Sequence, residues 1–444
     1  MPLRRVHRTG PLRALPVGVP KEGHGVASAD PIAMGVLGVV GLAILVGAPS
    51  GMGPTHWEAF WTSLVVPEVL SALLDWKAGE LGMVSDLKRT FPNFQPSPPP
   101  LHWLTVVNGP PGQCLYEQQS PLSGAITVEQ QQHFRVLRIG GWVHSIVLTE
   151  GGTSPSSRTI IRKDHAILAY MRVMVAAACG FLETPLPHAD SGKLQMQQAR
   201  VLCLGLGGGV LPMILQHYFG SSGHLQLSAV ELDRTITHAA TMHMGLDPHF
   251  GRHKGQGLHI RDAAKHVADL AAASRAAADQ GQLQQPAAQY DCIMLDCFDN
   301  NAEVPSQFLA QAFISDCRQI VPEGGVLVAN MINGAIGCAW RQDFGRLAEQ
   351  MCVAFGPTFS IGIRDDNQQN AVLVAKRMPA AHQNTDFPSS ELRVFKQELQ
   401  QNADQLARRH GMPYNLGKML EELYHVLPDA SCIDGVAEVD IDSQ

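Results

Sequence analysis

The stretch Arg200-Val-Leu-Cys-Leu-Gly-Leu-Gly-Gly-Gly-Val-Leu-Pro-Met-Ile-Leu215, with Leu227-Ser-Ala-Val-Glu-Leu-Asp233 behind it, decides how this chain folds. Val201 to Leu204 is a short apolar run, the pattern of a strand buried on both faces. Gly205, Gly207, Gly208 and Gly209, with Leu206 among them, make a turn with almost no side chains, which lets a ligand come close to the backbone. Leu211 to Phe219 follows as an apolar helix whose N-terminus faces that ligand. A second strand from Leu225 ends at Glu231, 22 residues after Gly209. That is close to the spacing of the acidic residue that takes ribose hydroxyls in nucleotide-binding βαβ units. A Gly-rich turn alone is equally a plain strand-to-helix connection. The carboxylate closing the next strand turns the reading toward a nucleoside-bearing cofactor.

Outward from this unit, strand and helix patterns alternate. Strands are expected near 201–205, 225–231, 258–261, 291–296, 326–330, 357–363 and 370–376, and helices near 210–219, 234–244, 263–274, 305–320 and 340–354. Such alternation predicts a mostly parallel sheet covered on both faces. The last two strands, joined through Asp365-Asp366-Asn367, form a hairpin. Seven strands ending in a hairpin is the layout of Rossmann-like methyltransferases, not of nucleotide dehydrogenases. Ala268 to Gln289 reads as a helix extension and a surface insertion.

Upstream, residues 101–160 carry strand signals: Leu101–Val107, Ala125–Val128, Phe134–Ile139 and Trp142–Leu148, separated by turns such as Gly140-Gly141. We expect a small antiparallel β-domain there, then a helix over Lys163–Phe181. The Rossmann-like domain is expected to occupy 161–377. Residues 378–444 read as two helices and an acidic tail. Leu392, Phe395, Leu399, Ala403 and Leu406 share one face of the first helix. Leu416, Met419, Leu420, Leu423 and Leu427 share one face of the second.

Residues 1–100 read as a leader. Five basic residues precede the first acid, Glu22, and Pro31–Ala48 is free of charge. The leader is open to reading as a membrane anchor or signal, with membrane contact through 31–48, as a plastid or mitochondrial transit peptide, or as a disordered leader. The compartment is accordingly open between cytoplasm, organelle and an N-terminal membrane anchor. Residues 57–87 show apolar residues at roughly helical spacing, and Gln95-Pro-Ser-Pro-Pro-Pro100 is a stiff linker.

The 444 residues bury a large core, and the net charge of −7 leaves no general nucleic-acid footprint. Nine scattered cysteines, none with CxxC spacing, fit reduced core thiols better than disulfides or a zinc site, and no metal is expected. Oligomeric state stays open, a homodimer among the outcomes.

Two further strand ends carry carboxylates. Asp262, followed by Ala263, closes the third strand, where it suits an adenine amino group or, equally, a helix N-cap. Asp296-Cys-Phe-Asp299 ends the fourth, at the edge where open α/β sheets bind ligands. Two carboxylates three residues apart there can orient an amine and take its proton. The plainer reading is a loop with polar caps ahead of a helix at Pro305.

These motifs as an ordered set, Gly-Leu-Gly-Gly-Gly, Val-Glu-Leu-Asp, Arg-Asp-Ala, Tyr-Asp-Cys-Ile-Met-Leu-Asp-Cys-Phe-Asp and Pro-Glu-Gly-Gly-Val-Leu-Val, resemble the spermidine synthase-like superfamily from about Tyr116 to Arg377. That superfamily holds polyamine aminopropyltransferases and S-adenosylmethionine-dependent methyltransferases. The resemblance implies that Gly205–Gly209 hold the methionine part of the cofactor, Glu231 the ribose, Asp262 with Ala263 the adenine, and Asp296 with Asp299 the acceptor amine.

Departures separate the branches. Aminopropyltransferases carry an Asp in the Gly-rich loop, as Gly-Gly-Asp-Gly-Gly, and Gly208 is set at that place here. Their Tyr-Gln before an Ile-Thr-Val strand is Ser123-Gly124, their Tyr-His is Leu168-Ala169, and Asn300 replaces a Pro after Asp299. A polycation needs carboxylates along its length. The expectation is therefore an S-adenosylmethionine-dependent methyltransferase acting on an amine of a protein or small molecule. The rivals are an aminopropyltransferase using decarboxylated S-adenosylmethionine and a non-catalytic relative that binds the nucleoside.

Overall fold

The structure, a computed structural model, describes residues 112–150, 159–184, 196–222, 225–252, 256–280, 289–301, 303–332, 339–363, 370–379, 388–428 and 436–440. All lie in one compact unit, residues 94–444. The leader, its apolar run 31–48, the linker at 95–100, the strand expected over Leu101–Val107, the 365–367 turn, residues 281–288 of the insertion and most of the acidic tail lie outside the described residues.

Five strands come first: β1 (Gln113–Ser120), β2 (Gly124–Gln131), β3 (Phe134–Ile139), β4 (Trp142–Glu150) and β5 (Ile160–Ile161). They pair in sequence order, each antiparallel to the next. β1 was not among the expected strands. Its exposed, Gln-rich sequence has little apolar alternation, and it forms by pairing with β2 along its whole length.

α1 (Ala169–Glu183) follows, six residues later than its expected start. The residues before it are held by side chains. Arg162 pairs with Asp164 and Glu150. The Asp164 carbonyl accepts the hydroxyls of Tyr218 and Tyr414, and the Ala166 N–H donates to Tyr414. Those bonds keep 162–166 out of the helix. At the other end of α1, the buried Lys376 donates through Nζ to the carbonyls of Phe181 and Thr184 and fastens the helix to the sheet.

The main sheet follows in chain order as β6 (Arg200–Leu204), β7 (Gln226–Glu231), β8 (Gln256–Ile260), β9 (Cys292–Leu295), β10 (Val326–Ile332), β11 (Thr358–Gly362), β12 (Asn370–Lys376), β13 (Leu423–Pro428) and β14 (Val436–Asp440). Their spatial order is β14-β13-β11-β12-β10-β9-β6-β7-β8. β8, β7, β6, β9 and β10 run parallel, and β12 lies antiparallel between β10 and β11. This is the Rossmann-like methyltransferase sheet with its closing hairpin.

Burial alternates along each strand. Val201, Cys203, Leu227, Ala229, Met294 and Val328 join the core that includes α1, α2 (Val210–Phe219) and the β-domain. Leu202, Leu204, Val230, Leu295 and Ala329 join the opposite core. There they meet α4 (Ala263–Asp279), α5 (Gln311–Ile320) and α6 (Ala339–Phe355). α3 (Arg234–His243) follows β7.

The C-terminal region departs from expectation. α7 (Ser389–His410) buries Leu392, Phe395, Leu399, Ala403 and Leu406 as one face. The second expected helix is absent. Leu416 and Leu420 are buried around a short turn, and Leu423 onward becomes β13, which extends the sheet antiparallel to β11. β14, in the stretch expected to be a disordered tail, pairs with β13. An open sheet edge offers a row of backbone donors and acceptors, and pairing with it overrides a helical spacing of leucines. The sheet thus has nine strands among the described residues instead of seven.

Candidate functional site

The chemistry-bearing residues gather at the C-terminal ends of β6, β7, β9 and β10. The strand order runs outward in one direction from β6 and in the other from β9, so the crevice between them is the switch point of the sheet.

The glycine turn after β6 is stretched by its neighbours. Gly205, Gly207 and Gly209 have φ of +87°, +51° and +76°, where side chains are strained. A Cβ on Gly205 would collide with the carbonyl of Asp296. One on Gly208 would lie 2.6 Å from the Ser145 Cβ, and one on Gly207 would lie 3.1 Å from the Ser145 Oγ. The Gly208 N–H donates to that Oγ at 2.8 Å. The bareness of the turn therefore serves the protein's own close packing as well as any ligand. Laid residue for residue, Gly-Gly-Asp-Gly-Gly sets Gly207, not Gly208, opposite the aspartate. Ser145 from β4 occupies the side-chain space of both.

Glu231 ends β7, as the sequence suggested, and is buried there. Its Oε2 accepts the Leu206 N–H at 3.1 Å and its Oε1 the Asp233 N–H at 3.0 Å. Burial raises the carboxyl above its ordinary value, and these backbone donors offset only part of that rise. Asp233 caps α3 through the Thr235 N–H at 2.8 Å and binds the Ser120 hydroxyl, tying β1 to the main domain. Burial raises its carboxyl, but the bonds from Ser120, Ser123 and Thr235 outweigh that and leave it low.

Asp262 caps α4, accepting the Lys265 N–H at 2.8 Å, and receives the Gln307 amide at 3.3 Å. The capping reading is thus realised. The carboxylate stands at the end of β8, with Ala263 buried behind it.

Asp296 follows β9. Asn330 of β10 donates its amide to Oδ1 at 2.9 Å, and the Tyr170 hydroxyl of α1 lies at a long 3.4 Å from Oδ2. Burial raises the carboxyl to about 6, against the pull of these two donors. Sequence reasoning missed both partners. Asn330 is a buried polar residue in an apolar strand, and its Oδ1 meets no hydrogen-bond partner among the described residues. The signal was present, since a lone Asn ending a buried strand needs a polar reason to be there. Tyr170 carried no signal in its Ala- and Met-rich helix. Asp299 turns onto its own loop instead, where Oδ1 accepts the N–H groups of Asn301 and Glu303 at 2.8 and 2.9 Å. The structure brings Gly205–Gly209, Glu231 and Asp296 together at one crevice.

Among the described residues no group of three or more His, Cys, Asp or Glu side chains is placed to hold a metal. No described helix is long and apolar enough to cross a membrane.

No family model matches the chain. It is similar to the polyamine aminopropyltransferase of Vibrio vulnificus (strain CMCP6), 27% identical over 216 residues, covering 49% of this chain and 58% of that protein. It is also similar to the eEF1A lysine and N-terminal methyltransferase of Xenopus laevis, 24% identical over 277 residues, covering 60% of this chain and 34% of that one. The chain thus spans 58% of the first relative and 34% of the second. Among solved structures it resembles a probable spermidine synthase from Corynebacterium glutamicum ATCC 13032, at 17% identity and a TM-score of 0.44, covering 65% of this chain and 87% of that one. Human methyltransferase-like protein 13 in complex with SAH matches at 21% identity and a TM-score of 0.40, covering 53% and 92%. The curated relatives come from both branches of the spermidine synthase-like superfamily and bear out the resemblance read from the motifs.

Proposed function

We propose that this chain is an S-adenosylmethionine-dependent methyltransferase whose acceptor is an amine of a protein or small molecule. The observation that carries the reading is the contact between Ser145 and Gly207-Gly208. It fills the side-chain space of Gly208, crowds that of Gly207 and sets a hydroxyl where the aminopropyltransferase turn carries a carboxylate. The decarboxylated donor ends in an aminopropyl ammonium, which needs an anion at this place. The carboxylated donor brings its own carboxylate, which suits the N-terminal end of α2.

The donor set fits a nucleoside-bearing sulfonium. Backbone N–H groups hold both oxygens of Glu231, and a carboxylate has lone pairs enough to accept vicinal ribose hydroxyls as well. Asp262 and Ala263 take the adenine side, and Gly205 to Gly209 with Leu206 the methionine side. The cofactor, when bound, supplies an electrophilic methyl on sulfur. The protein then contributes position and a water-poor crevice. Only a neutral amine has the lone pair needed for attack. The new C–N bond forms as the C–S bond breaks, and the resulting ammonium must lose a proton. Asp296 would orient the amine and take that proton, a role that its carboxyl, raised to about 6, supports. Asp299 supports by charge, since its loop holds its oxygens.

Calorimetric titration with S-adenosylmethionine, S-adenosylhomocysteine and the decarboxylated donor tests the proposal. Preference for the carboxylated pair is the expected result. Preference for the decarboxylated donor would move the chain to aminopropyl transfer, as its bacterial relative's name suggests, and binding of none would leave a scaffold with an idle site.

A further inference from the structure

β4 contains an irregularity that the glycine turn does not explain. Leu137 of β3 pairs with Ser145, and the next residue, Arg138, pairs with Val143. His144 is therefore the extra residue of a β-bulge. An extra residue breaks the strict alternation of a strand and re-aims the side chains beside it. Its neighbour Ser145 faces Gly207 and Gly208 of the turn.

One nitrogen of the imidazole has no structural bond to account for it. This Nε2 is shut off from solvent and meets no hydrogen-bond partner among the described residues. Buried polar atoms are rarely left so, and each one needs an explanation. The surroundings say where it looks. The carboxylate of Asp299 acts on it electrostatically. A Cβ on Gly140, at the tip of the β3–β4 turn, would lie 2.8 Å from the Asn300 carbonyl, so this hairpin rests on the loop that follows Asp296. Ser145 against the glycine turn on one side and the 296–301 loop on the other bracket His144. Burial keeps the ring neutral, lowering it to about 4.

We infer that His144 is a further acceptor-site residue, whose ring nitrogen hydrogen-bonds the amine that Asp296 orients. The inference rests on the amine-methyltransferase reading above. The chemistry suits a neutral ring. A charged carboxylate at this point would favour the ammonium, which cannot attack. A neutral imidazole nitrogen accepts an N–H of the free amine without holding it protonated. On this inference one amine head would meet a neutral ring nitrogen beside Asp296, and no further carboxylate is called for at this point.

The test uses the full chain, n-butylamine as a minimal amine, and S-adenosylhomocysteine at saturation. Histidine ring carbons are labelled, and the His144 resonance is assigned by its loss in His144→Gln, or in His144→Asn if the first variant unfolds. The expected result is a shift of that resonance on adding butylamine, over and above any shift from S-adenosylhomocysteine alone. His144→Ala should weaken butylamine about fivefold, the worth of one neutral hydrogen bond of about 1 kcal/mol. His144→Gln should restore affinity to within about twofold, and S-adenosylhomocysteine should bind all variants alike. Butylamine that binds with the resonance unmoved and the variants unaffected overturns this inference alone. A resonance that moves fully with S-adenosylhomocysteine assigns His144 to the nucleoside side and also overturns it. Failure of the parent to bind butylamine brings down the amine reading, and this inference with it.

Discussion

Two carboxylates end neighbouring parts of the same sheet and are held in opposite ways. Glu231 at β7 is gripped by backbone: the Leu206 and Asp233 N–H groups take one oxygen each. Asp296 at β9 is held by side chains, the Asn330 amide and the more distant Tyr170 hydroxyl. Backbone donors cannot turn away, so Glu231 is part of the scaffold of the turn. Side-chain donors are fewer and softer, and Asp296 is left with a carboxyl raised to about 6. A carboxylate that must stay ionised to grip hydroxyls is best held by fixed dipoles. A carboxylate that must exchange a proton is best left where burial outweighs the bonds that hold it. On the proposed function, binding falls to one and chemistry to the other, and that division can be broken by experiment.

The largest effect belongs to Asp296. Asp296→Asn should lower kcat by about 10²- to 10³-fold, the usual span for losing an acid–base group. Cofactor affinity should stay within about threefold. The parent's rate should rise with pH through about 6, as the carboxyl ionises, and the variant should lack that limb. Stability should move the other way. A carboxyl whose folded pKa is raised above its ordinary value contributes stability below that ordinary value and loses it as pH rises through about 6. At pH 8 the variant should therefore match or exceed the parent in Tm. Equal loss of cofactor binding and turnover would erase the division of labour between the two carboxylates.

Glu231→Gln comes next. Losing the charge and one acceptor should cost about 2–4 kcal/mol of cofactor binding, or roughly 30- to 1000-fold in Kd. Placement at a strand end implies by itself no cost in stability. The structure adds one, because a Gln amide must face one of two backbone donors and leave it unsatisfied, at about 1–3 kcal/mol. Unchanged affinity for S-adenosylmethionine would remove Glu231 from the nucleoside site, and an unchanged Tm would deny it the scaffold role.

Much of this arrangement was legible beforehand, and the failures have physical causes. Gly205, Glu231, Asp262 and Asp296 sit at strand ends because apolar runs stop where strands stop, so a polar residue there is visible in the sequence. Tyr170 was hidden because a single hydroxyl in an apolar helix leaves the periodicity intact, whereas Asn330 was visible only as a lone amide in an apolar run. His144 was hidden because a bulge is a property of pairing and not of composition. The leucines of 416–427 misled, since their spacing suits a helix while the open edge of β11 claims the segment as β13. Glu231 was placed rightly and its burial was not foreseen, because the N–H groups that enclose it belong to a turn whose shape depends on Ser145 and Asp296.

Asn330→Ala sharpens the contrast from the acceptor side. Its amide stabilises the ionised form of Asp296, so removing it should raise the carboxyl further. The acid limb of the rate should move up by about one pH unit, as expected for one hydrogen bond to a charged group. At pH 8 the rate should recover most of the parent's value if Asn330 only tunes Asp296. A limb that stays near pH 6 would mean that another group sets it.

The smallest effect is expected at Asp233, the control for Glu231. The two carboxylates are two residues apart, both buried, and joined by the bond from the Asp233 N–H to Glu231. Yet the Asp233 side chain faces the other way. It accepts from Thr235 at the start of α3 and from Ser120 at the end of β1. Asn caps a helix about as well as Asp, and its amide can donate where the Ser120 hydroxyl then accepts. Asp233→Asn should leave S-adenosylmethionine affinity within about twofold and cost about 1 kcal/mol of stability, the difference between charged and neutral hydrogen bonds at the junction with the β-domain. The Glu231 bond survives, because it uses the backbone of residue 233 and not its side chain. A loss of affinity in this variant as large as that in Glu231→Gln would mean that the nucleoside is gripped at the junction between β1 and α3. The backbone-held carboxylate would then be scaffold alone.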